Sequence, residues 1–471
     1  MALPSDATTT PPAAVVPPPA AELAPLARLR QRLRWRRNRS RAARVTVVNQ
    51  FFPPDYAATG QLLEDLTGRL AAQGLQIQVL TGMPAYAGPA TEAERIEFQP
   101  NRCIRRTRTS RFWPRRIRGR AVNSLIFCLR SGLRLLRYVR RGDLILYTSE
   151  PPYLPIVGWL VHQLTRTPYL LVVYDLYPDV LEELKVLPAR HWLCRLWRRL
   201  NRPALLGAEE VVVLSELMAE RVLAQAPALA GRLHVIPSWA DPDLIRPLPK
   251  RSNWFVQRYG LERRFTVLYS GNQGRCHDLV TLLGAALMLK GEAKVRFLIV
   301  GDGPQHRRLR QLAREWDLAN VRFLPYQEPD ALPHSLAAAD LAVVSVSIEA
   351  IGVVAPCKLY GHLAAATPIA AITPPGSDLR ALVEASGCGR WFANGDAGAL
   401  VGWIRELAAD PAAAAAHGAA GRALLQRTAT PALVSERYRQ LICRHLPQAK
   451  RAATAGSRRD SARLADPADV V

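Results

Sequence analysis

Residues 294–304 read KVRFLIVGDGP: a short apolar run closed by a Gly-Asp-Gly turn. Pro304 follows, where the first position of a helix would stand. The unit recurs outward from this point. FTVLYSGN (265–272), NVRFLPY (320–326), LAVVSVS (341–347) and PIAAIT (368–373) are further apolar runs, each followed by a helical stretch. Short buried strands alternating with helices predict a parallel sheet covered on both faces.

The first half of the chain carries the same alternation. RVTVVNQFF (44–52) precedes an amphipathic helix near 60–73, and LQIQVLTG (75–82), DLILYTS (143–149), YLLVVYDL (169–176), EEVVVLS (209–215) and LHVIPSWAD (233–241) continue it. PSWADPDLIRPLPKRSN (237–253) is rich in proline and polar residues and reads as a hinge. The expected fold class is therefore α/β, with two tandem Rossmann-like domains facing each other across a cleft. The expected divisions are a disordered, basic extension (1–43), a first domain (44–240), a linker (241–254), a second domain (255–425), a final helix (426–446) that could pack anywhere, and a disordered polar tail (447–471).

At 471 residues, 49% hydrophobic and 22% charged, the composition is that of a globular two-domain chain. Its longest apolar stretches, such as YLPIVGWLV (153–161), are far short of a membrane span. No secretory signal is legible, and the seven cysteines are scattered without metal-ligand spacing. These features place the chain in the cytoplasm. The net charge of +24 is concentrated: residues 28–44 hold nine arginines, residues 102–141 hold fourteen, and neither stretch contains an acid. Such localised basicity implies an anionic partner. Within 121–141, Leu125, Leu129, Leu133 and Leu136 alternate with an arginine stripe, and Phe112 and Trp113 stand among arginines. The expectation is leucines toward the core and arginines toward a membrane surface. Nucleic acid is not expected, since no recognised nucleic-acid fold accompanies the charge.

Ligands of open α/β sheets sit beyond the carboxyl ends of the strands. Three such loops have suggestive chemistry. LYSGNQGRCHD (268–278) offers Gly271 and Gly274 for close backbone approach to a phosphate, with Arg275 as a cation. IVGDGPQ (299–305) is a second strand-to-helix turn. The third, SIEAIGVVAPCKLYGHLAAATPIAAI (347–372), combines Glu349, Gly352 and Lys358 at a helix start. Lys358 suits a diphosphate and Glu349 suits sugar hydroxyls. Ordinary turns and solvated charges are the plainer alternative for each loop.

Taken in order, VVNQFFPPDYAATGQLLEDL, VVYDLYPDV, VIPSWAD, YSGNQGR, FLIVGDGP, NVRFLPYQ and PCKLYGHLAAATPIAAI resemble family 4 glycosyltransferases of the GT-B fold, in the bacterial capsule, O-antigen and colanic-acid group. The resemblance covers roughly 44–445 and implies a nucleotide-diphosphate sugar as co-substrate bound to the second domain. It implies no metal or other cofactor, a lipid-linked or polysaccharide acceptor in the first domain, and an anomer-retaining transfer of a hexosyl or N-acetylhexosaminyl unit. By position, Glu349 matches the first acid of the family's paired-glutamate motif. Gly352 and Val353 match the turn facing sugar and phosphates, and Lys358 matches a subgroup lysine. Gly271, Asn272, Arg275, Gly303 and Tyr326 fall in donor-binding segments, and Gly60 matches a glycine on the acceptor side. Asp175 lies where relatives carry a catalytic-region histidine or aspartate, although DLYPD also reads as a helix-capping aspartate. The sequence departs from the pattern at Asn272 and His277, where an arginine and a lysine are usual, and at Gly361, where the second glutamate would stand. Counting on from Glu349 gives Cys357 in its place, also not an acid. The implied location is the cytoplasmic side of the membrane, peripherally attached through 28–44 and 102–141. A nucleotide-sugar epimerase of the same fold and a non-catalytic nucleotide-sugar-binding protein are the alternatives.

Overall fold

The computed structural model describes residues 43–446 and Trp35, apart from 56, 85–92, 109–116, 141 and 189. The rest of the extension before residue 43, Phe112 and Trp113, and the tail 447–471 lie outside the described residues, as does most of the 28–44 arginine run.

The first domain is built from β1 (Arg44–Val48), α1 (Ala58–Ala72), β2 (Gln76–Gly82), β3 (Ile96–Gln99), β4 (Arg102–Thr107), α2 (Ile117–Tyr138), β5 (Leu144–Thr148), α3 (Leu154–Thr165), β6 (Tyr169–Val173), α4 (Asp179–Glu183), α5 (Trp192–Leu206), β7 (Glu210–Val213), α6 (Glu216–Gln225) and β8 (Leu233–Val235). Its strands lie in the order β3-β4-β2-β1-β5-β6-β7-β8, all parallel except the β3–β4 pair. The second domain opens with α7 (Trp254–Tyr259) and continues through β9 (Phe265–Ser270), α8 (Val280–Met288), β10 (Val295–Val300), α9 (His306–Glu315), β11 (Val321–Leu324), α10 (Leu332–Leu336), β12 (Leu341–Ser345), α11 (Lys358–Ala364), β13 (Ile369–Ile372), α12 (Asp378–Ser386), β14 (Gly389–Phe392), α13 (Ala397–Ala409) and α14 (Pro411–Thr428). The strand order β11-β10-β9-β12-β13-β14 is parallel throughout.

Both sheets are buried on two faces, which is why their strands read as unbroken apolar runs. Alternate residues serve opposite layers: Ala342 and Val344 of β12 join one core of the second domain, and Leu341 and Val343 the other. Each sheet has a point where successive connections leave in opposite directions, between β1 and β5 and between β9 and β12. Parallel sheets open a crevice at such points, and the two crevices face one another.

The structure settles one open expectation and corrects three. The final helix, α15 (Pro431–His445), which the sequence left free to pack anywhere, returns to the first domain and packs beside α1. Val434, Tyr438, Leu441 and Ile442 enter that domain's core. The chain thus crosses between domains twice, near 240 and near 429, where the Ala240 amide donates to the Ala429 carbonyl (3.4 Å). The linker is also held on both sides, by Arg69 on Asp241 (3.0 Å) and by Arg422 on the Pro242 carbonyl (2.9 Å).

Second, part of the 102–141 arginine stretch is internal. Arg102 pairs with Glu64 (2.7 Å), Arg106 with Glu97, and Arg44, the last residue of the earlier stretch, with Asp143 (2.6 Å); all three arginines are buried. The β3–β4 hairpin was hidden by this charge. Arg44→Met leaves the Asp143 carboxylate buried and uncompensated. A loss of about 3–5 kcal/mol is expected, read as a lower urea midpoint.

Third, Leu125, Leu129, Leu133 and Leu136 face outward, and Phe127, Cys128, Ser131, Gly132 and Leu135 form the inner stripe of α2. Both sets have helical spacing, so period alone did not say which side meets the sheet. Fourth, α9 opens at His306 with Gln305 as its cap, two residues beyond Pro304.

Candidate active site

Three strand-end turns of the second domain converge at the β9/β12 crevice. Gly271 has φ +129°, and a Cβ there would lie 2.5 Å from Lys358 Cε. The bare glycine therefore lets the Lys358 side chain cross the end of β9. At Gly303 (φ +154°) a Cβ would lie 2.5 Å from Asn272 Oδ1, so the β10 turn closes tightly on the β9 turn. Gln273 ties the two together: its amide donates to the Asp302 carbonyl (2.8 Å) and its side chain to the Gly301 carbonyl (3.1 Å). The Tyr326 hydroxyl donates to the Asp302 carbonyl (3.2 Å), and burial pushes its pKa up to about 12.

Lys358 opens α11, with its Nζ 2.6 Å from His277 Nε2 and 5.2 Å from the centre of the Tyr269 ring. The other ring nitrogen of His277, Nδ1, lies 2.7 Å from the Ser345 carbonyl, an acceptor only. His277 must therefore carry its proton on Nδ1 and offer the Nε2 lone pair to the Lys358 ammonium. Burial first, and Lys358 second, lower the His277 pKa to about 3, so the ring is neutral. Burial also lowers Lys358. Among the described residues no carboxylate lies within 4.0 Å of its Nζ. A half-buried cation without a counter-charge is poised for an anionic ligand.

The first domain supplies the opposite wall. Ser149 Oγ accepts the amides of Tyr174 (2.9 Å) and Asp175 (3.2 Å), pinning the β6 loop to the β5 loop. Glu150, the next residue, accepts from Thr59 Oγ1 (2.7 Å) at the start of α1. Burial, then the neighbouring Glu150 charge, push the Asp175 carboxyl up to about 7; burial also raises Glu150. Asp175 forms a bridge with Val354, and the Leu176 amide donates to the Val353 carbonyl (3.1 Å). Asp175 thus stands on the seam where the two crevices meet.

The remaining sequence candidates divide. Asn272 and Arg275 are exposed on the β9 turn. Glu349 sits in a single 3-10 turn (Ile348–Ala350), held below the usual carboxylate range by its own backbone amide and by Lys185, 3.5 Å away across the cleft. Val353 offers no free backbone donor: its amide goes to the Ala350 carbonyl (3.3 Å), its carbonyl takes Leu176, and its side chain fills the first domain's core. Beside Gly352 (φ +67°) lie Arg221 and Leu217 of α6. At Gly60 the close neighbour is the chain's own Phe51–Phe52 backbone, 3.1 Å from where a Cβ would be. The space beside Gly361 is taken by Leu336, at 3.0 Å. Sequence reasoning missed Glu150 and the service of His277 to Lys358. Glu150 was open to discovery, as an acid directly after the fifth strand of the first domain. The His277 contact spans 81 residues, and no local pattern announces it.

Two family models match this architecture: the glycosyl transferase 4-like domain over residues 58–239 and the glycosyl transferases group 1 domain over residues 253–424. The chain belongs to the group 1 glycosyltransferases. Its fold is GT-B. The probable glycosyltransferase WbjE of Pseudomonas aeruginosa is 25% identical over 368 residues, spanning 78% of this chain and 89% of WbjE. The putative colanic acid biosynthesis glycosyl transferase WcaI of Escherichia coli K12 is 39% identical over 98 residues, 21% of this chain and 24% of WcaI. Among solved structures, Anabaena HepE in complex with UDP-glucose superposes with a TM-score of 0.62 at 16% identity, covering 84% of this chain and 98% of HepE. Membership of the group 1 glycosyltransferases speaks for transfer and against the epimerase alternative.

Proposed function

We propose that this glycosyltransferase moves a hexosyl or N-acetylhexosaminyl unit from a UDP-sugar to a lipid-linked or polysaccharide acceptor in cell-surface polysaccharide synthesis, with retention at the anomeric carbon. The observation that carries the reading is the half-buried Lys358 ammonium, oriented by neutral His277 at the β9/β12 crevice and lacking a carboxylate. Departure of the sugar leaves a second negative charge on the terminal phosphate of the nucleotide diphosphate. A pre-placed cation in a site shielded from water stabilises that charge as it develops. UDP is named because HepE, of the same fold, binds UDP-glucose. The polysaccharide context follows WcaI.

Asp175 takes the acceptor side. The acceptor hydroxyl oxygen bonds to the anomeric carbon on the same face from which the diphosphate leaves, as retention requires, the bond to the diphosphate oxygen breaks, and the hydroxyl proton passes to the Asp175 carboxylate. Gly271, Gly303, Asn272, Arg275 and Tyr326 border the nucleotide, Glu349 and Gly352 the sugar, and the loop before Gly60 the acceptor. The basic stretches 28–44 and 102–141 hold the enzyme peripherally on the cytoplasmic side of an anionic membrane. Among the described residues no helix is long and apolar enough to cross one.

Purified protein incubated with a panel of UDP-, GDP- and ADP-sugars and a membrane extract tests the reading. Transfer from one UDP-sugar is expected; nucleotide binding without turnover on any acceptor would support a non-catalytic binding protein instead. Glu349 has its own test against Lys185, its partner across the cleft. Glu349→Ala is expected to lower kcat/KM about 10- to 100-fold, the worth of a hydrogen bond to a charged group. Lys185→Ala should stay within about twofold, as an exposed ion pair contributes little. Equal small effects in the two variants would reduce Glu349 to a tie between domains.

A further inference from the structure

The outer layer of the first domain carries a surface that its glycosyl-transfer chemistry does not use. Helices α2, α3 and α5 pack side by side over the sheet. Twelve of the twenty large apolar side chains exposed among the described residues belong to these three helices. They form a ridge that includes Leu129 (53% exposed), Leu133 (67%), Leu164 (73%) and Trp192 (60%). Soluble monomers rarely expose so much contiguous apolar surface without a partner. The same helices contain nine arginines and no acid.

At the carboxyl end of α2 the ridge meets a cavity of about 430 Å³ between that helix and the β1, β2 and β4 face of the sheet. Six arginines line it and no carboxylate does. Arg44 and Arg106 are neutralised from outside by Asp143 and Glu97. Arg95, Arg105, Arg134 and Arg137 pair with no acid among the described residues. Burial first, then the like charges of Arg105, Arg95 and Arg130, depress the Arg134 guanidinium. Leu133, Tyr138 and Ile96, all exposed, stand at the same cavity.

We propose that this layer is a monotopic membrane-insertion surface, in which the α2–α3–α5 ridge enters the interface of an anionic bilayer and the arginine cavity receives a phospholipid phosphate. Apolar side chains beside unpaired arginines match acyl chains beside anionic headgroups. A second copy of the chain is the weaker occupant. A two-fold contact would set the arginines of these helices against themselves, with only Arg198 among the described ones answered by acids, Asp179 and Glu182. The surface also leads to the site. Trp197 of α5 stacks on Tyr153 (ring centres 4.9 Å apart) and on Tyr177 (6.0 Å), and Tyr177 is two residues from Asp175. An acceptor anchored in the bilayer would therefore reach Asp175 along the edge of the inserted face. This extends the membrane reading above from charge alone to a defined face, and its test needs no glycosyl transfer.

The full chain is to be sedimented with phosphatidylglycerol–phosphatidylcholine vesicles and with pure phosphatidylcholine vesicles. The variants are Leu129→Gln/Leu133→Gln and Arg105→Gln/Arg134→Gln. Wild type is expected to partition to the anionic vesicles, and each double variant to lose about tenfold or more of that partition. Both variants should keep wild-type UDP affinity, so failure of this surface and failure of the donor reading give different results. Unchanged partition of both variants overturns the proposal. So does a dimer that the leucine variant dissociates while vesicle binding stays intact, which would make the face a contact between copies.

Discussion

Lys358→Met is expected to lower kcat about 100- to 1000-fold, the usual worth of one pre-placed donor on a developing oxyanion. Methionine keeps much of the side-chain volume and the passage over Gly271, so the loss isolates the charge. His277 Nε2, which accepts from Lys358 at 2.6 Å, is left without its donor. That should cost about 1–3 kcal/mol of stability, visible as a lower melting temperature. Circular dichroism should show a folded protein. A variant with wild-type kcat would move the leaving-group cation elsewhere, the exposed Arg275 of the β9 turn being the next candidate.

The second large effect concerns Asp175. Its carboxyl is raised to about 7, so it is mostly protonated below that pH and mostly ionised above it. A base must be ionised, and kcat/KM is therefore expected to rise with pH through about 7 and to fall on the acid side. Asp175→Asn should lower kcat about 100- to 10,000-fold and abolish this limb. Glu150→Gln removes a like charge that raises Asp175, so the limb should move to lower pH. The stability effect carries the opposite sense. The native carboxyl holds its proton at pH values where the unfolded one has released it, so its contribution is full below the unfolded value and is lost as pH rises through about 7. An acid limb that persists in Asp175→Asn would assign the titrating group elsewhere.

The strands were legible because parallel sheets bury both faces and leave continuous apolar runs with turn residues at their ends. LILYT, YLLVV and LAVVS needed no tertiary information. β4 was not legible, because two of its arginines, Arg102 and Arg106, are satisfied by Glu64 and Glu97, acids that no sequence window pairs with them. β14, GRWF at the sheet edge, is half exposed and lacks the apolar signature. The two faces of α2 show why a period is not a direction. Two stripes of similar spacing were present, and only the sheet beneath selected the one holding Phe127 and Leu135.

At the site, the composition of the three loops was readable, and the structure sets Lys358 against Gly271 and Gly303 against Asn272 and Gln273. The electrostatics were not readable. That Lys358 is unpaired, that His277 is neutral and that Asp175 shares its surroundings with Glu150 all depend on contacts between distant parts of the chain. Val353 shows the converse: in a turn that reads as ligand-facing by pattern, its amide goes to Ala350 and its carbonyl to Leu176, which helps join the domains.

The central claim is that the cation at the β9/β12 crevice holds the donor's diphosphate. Calorimetric titration of UDP into the wild-type protein and into Lys358→Met tests it most directly. The account predicts that wild type binds UDP and that the variant binds about tenfold or more weakly, with uridine affinity the same in both. Equal UDP affinity in the two proteins would contradict it.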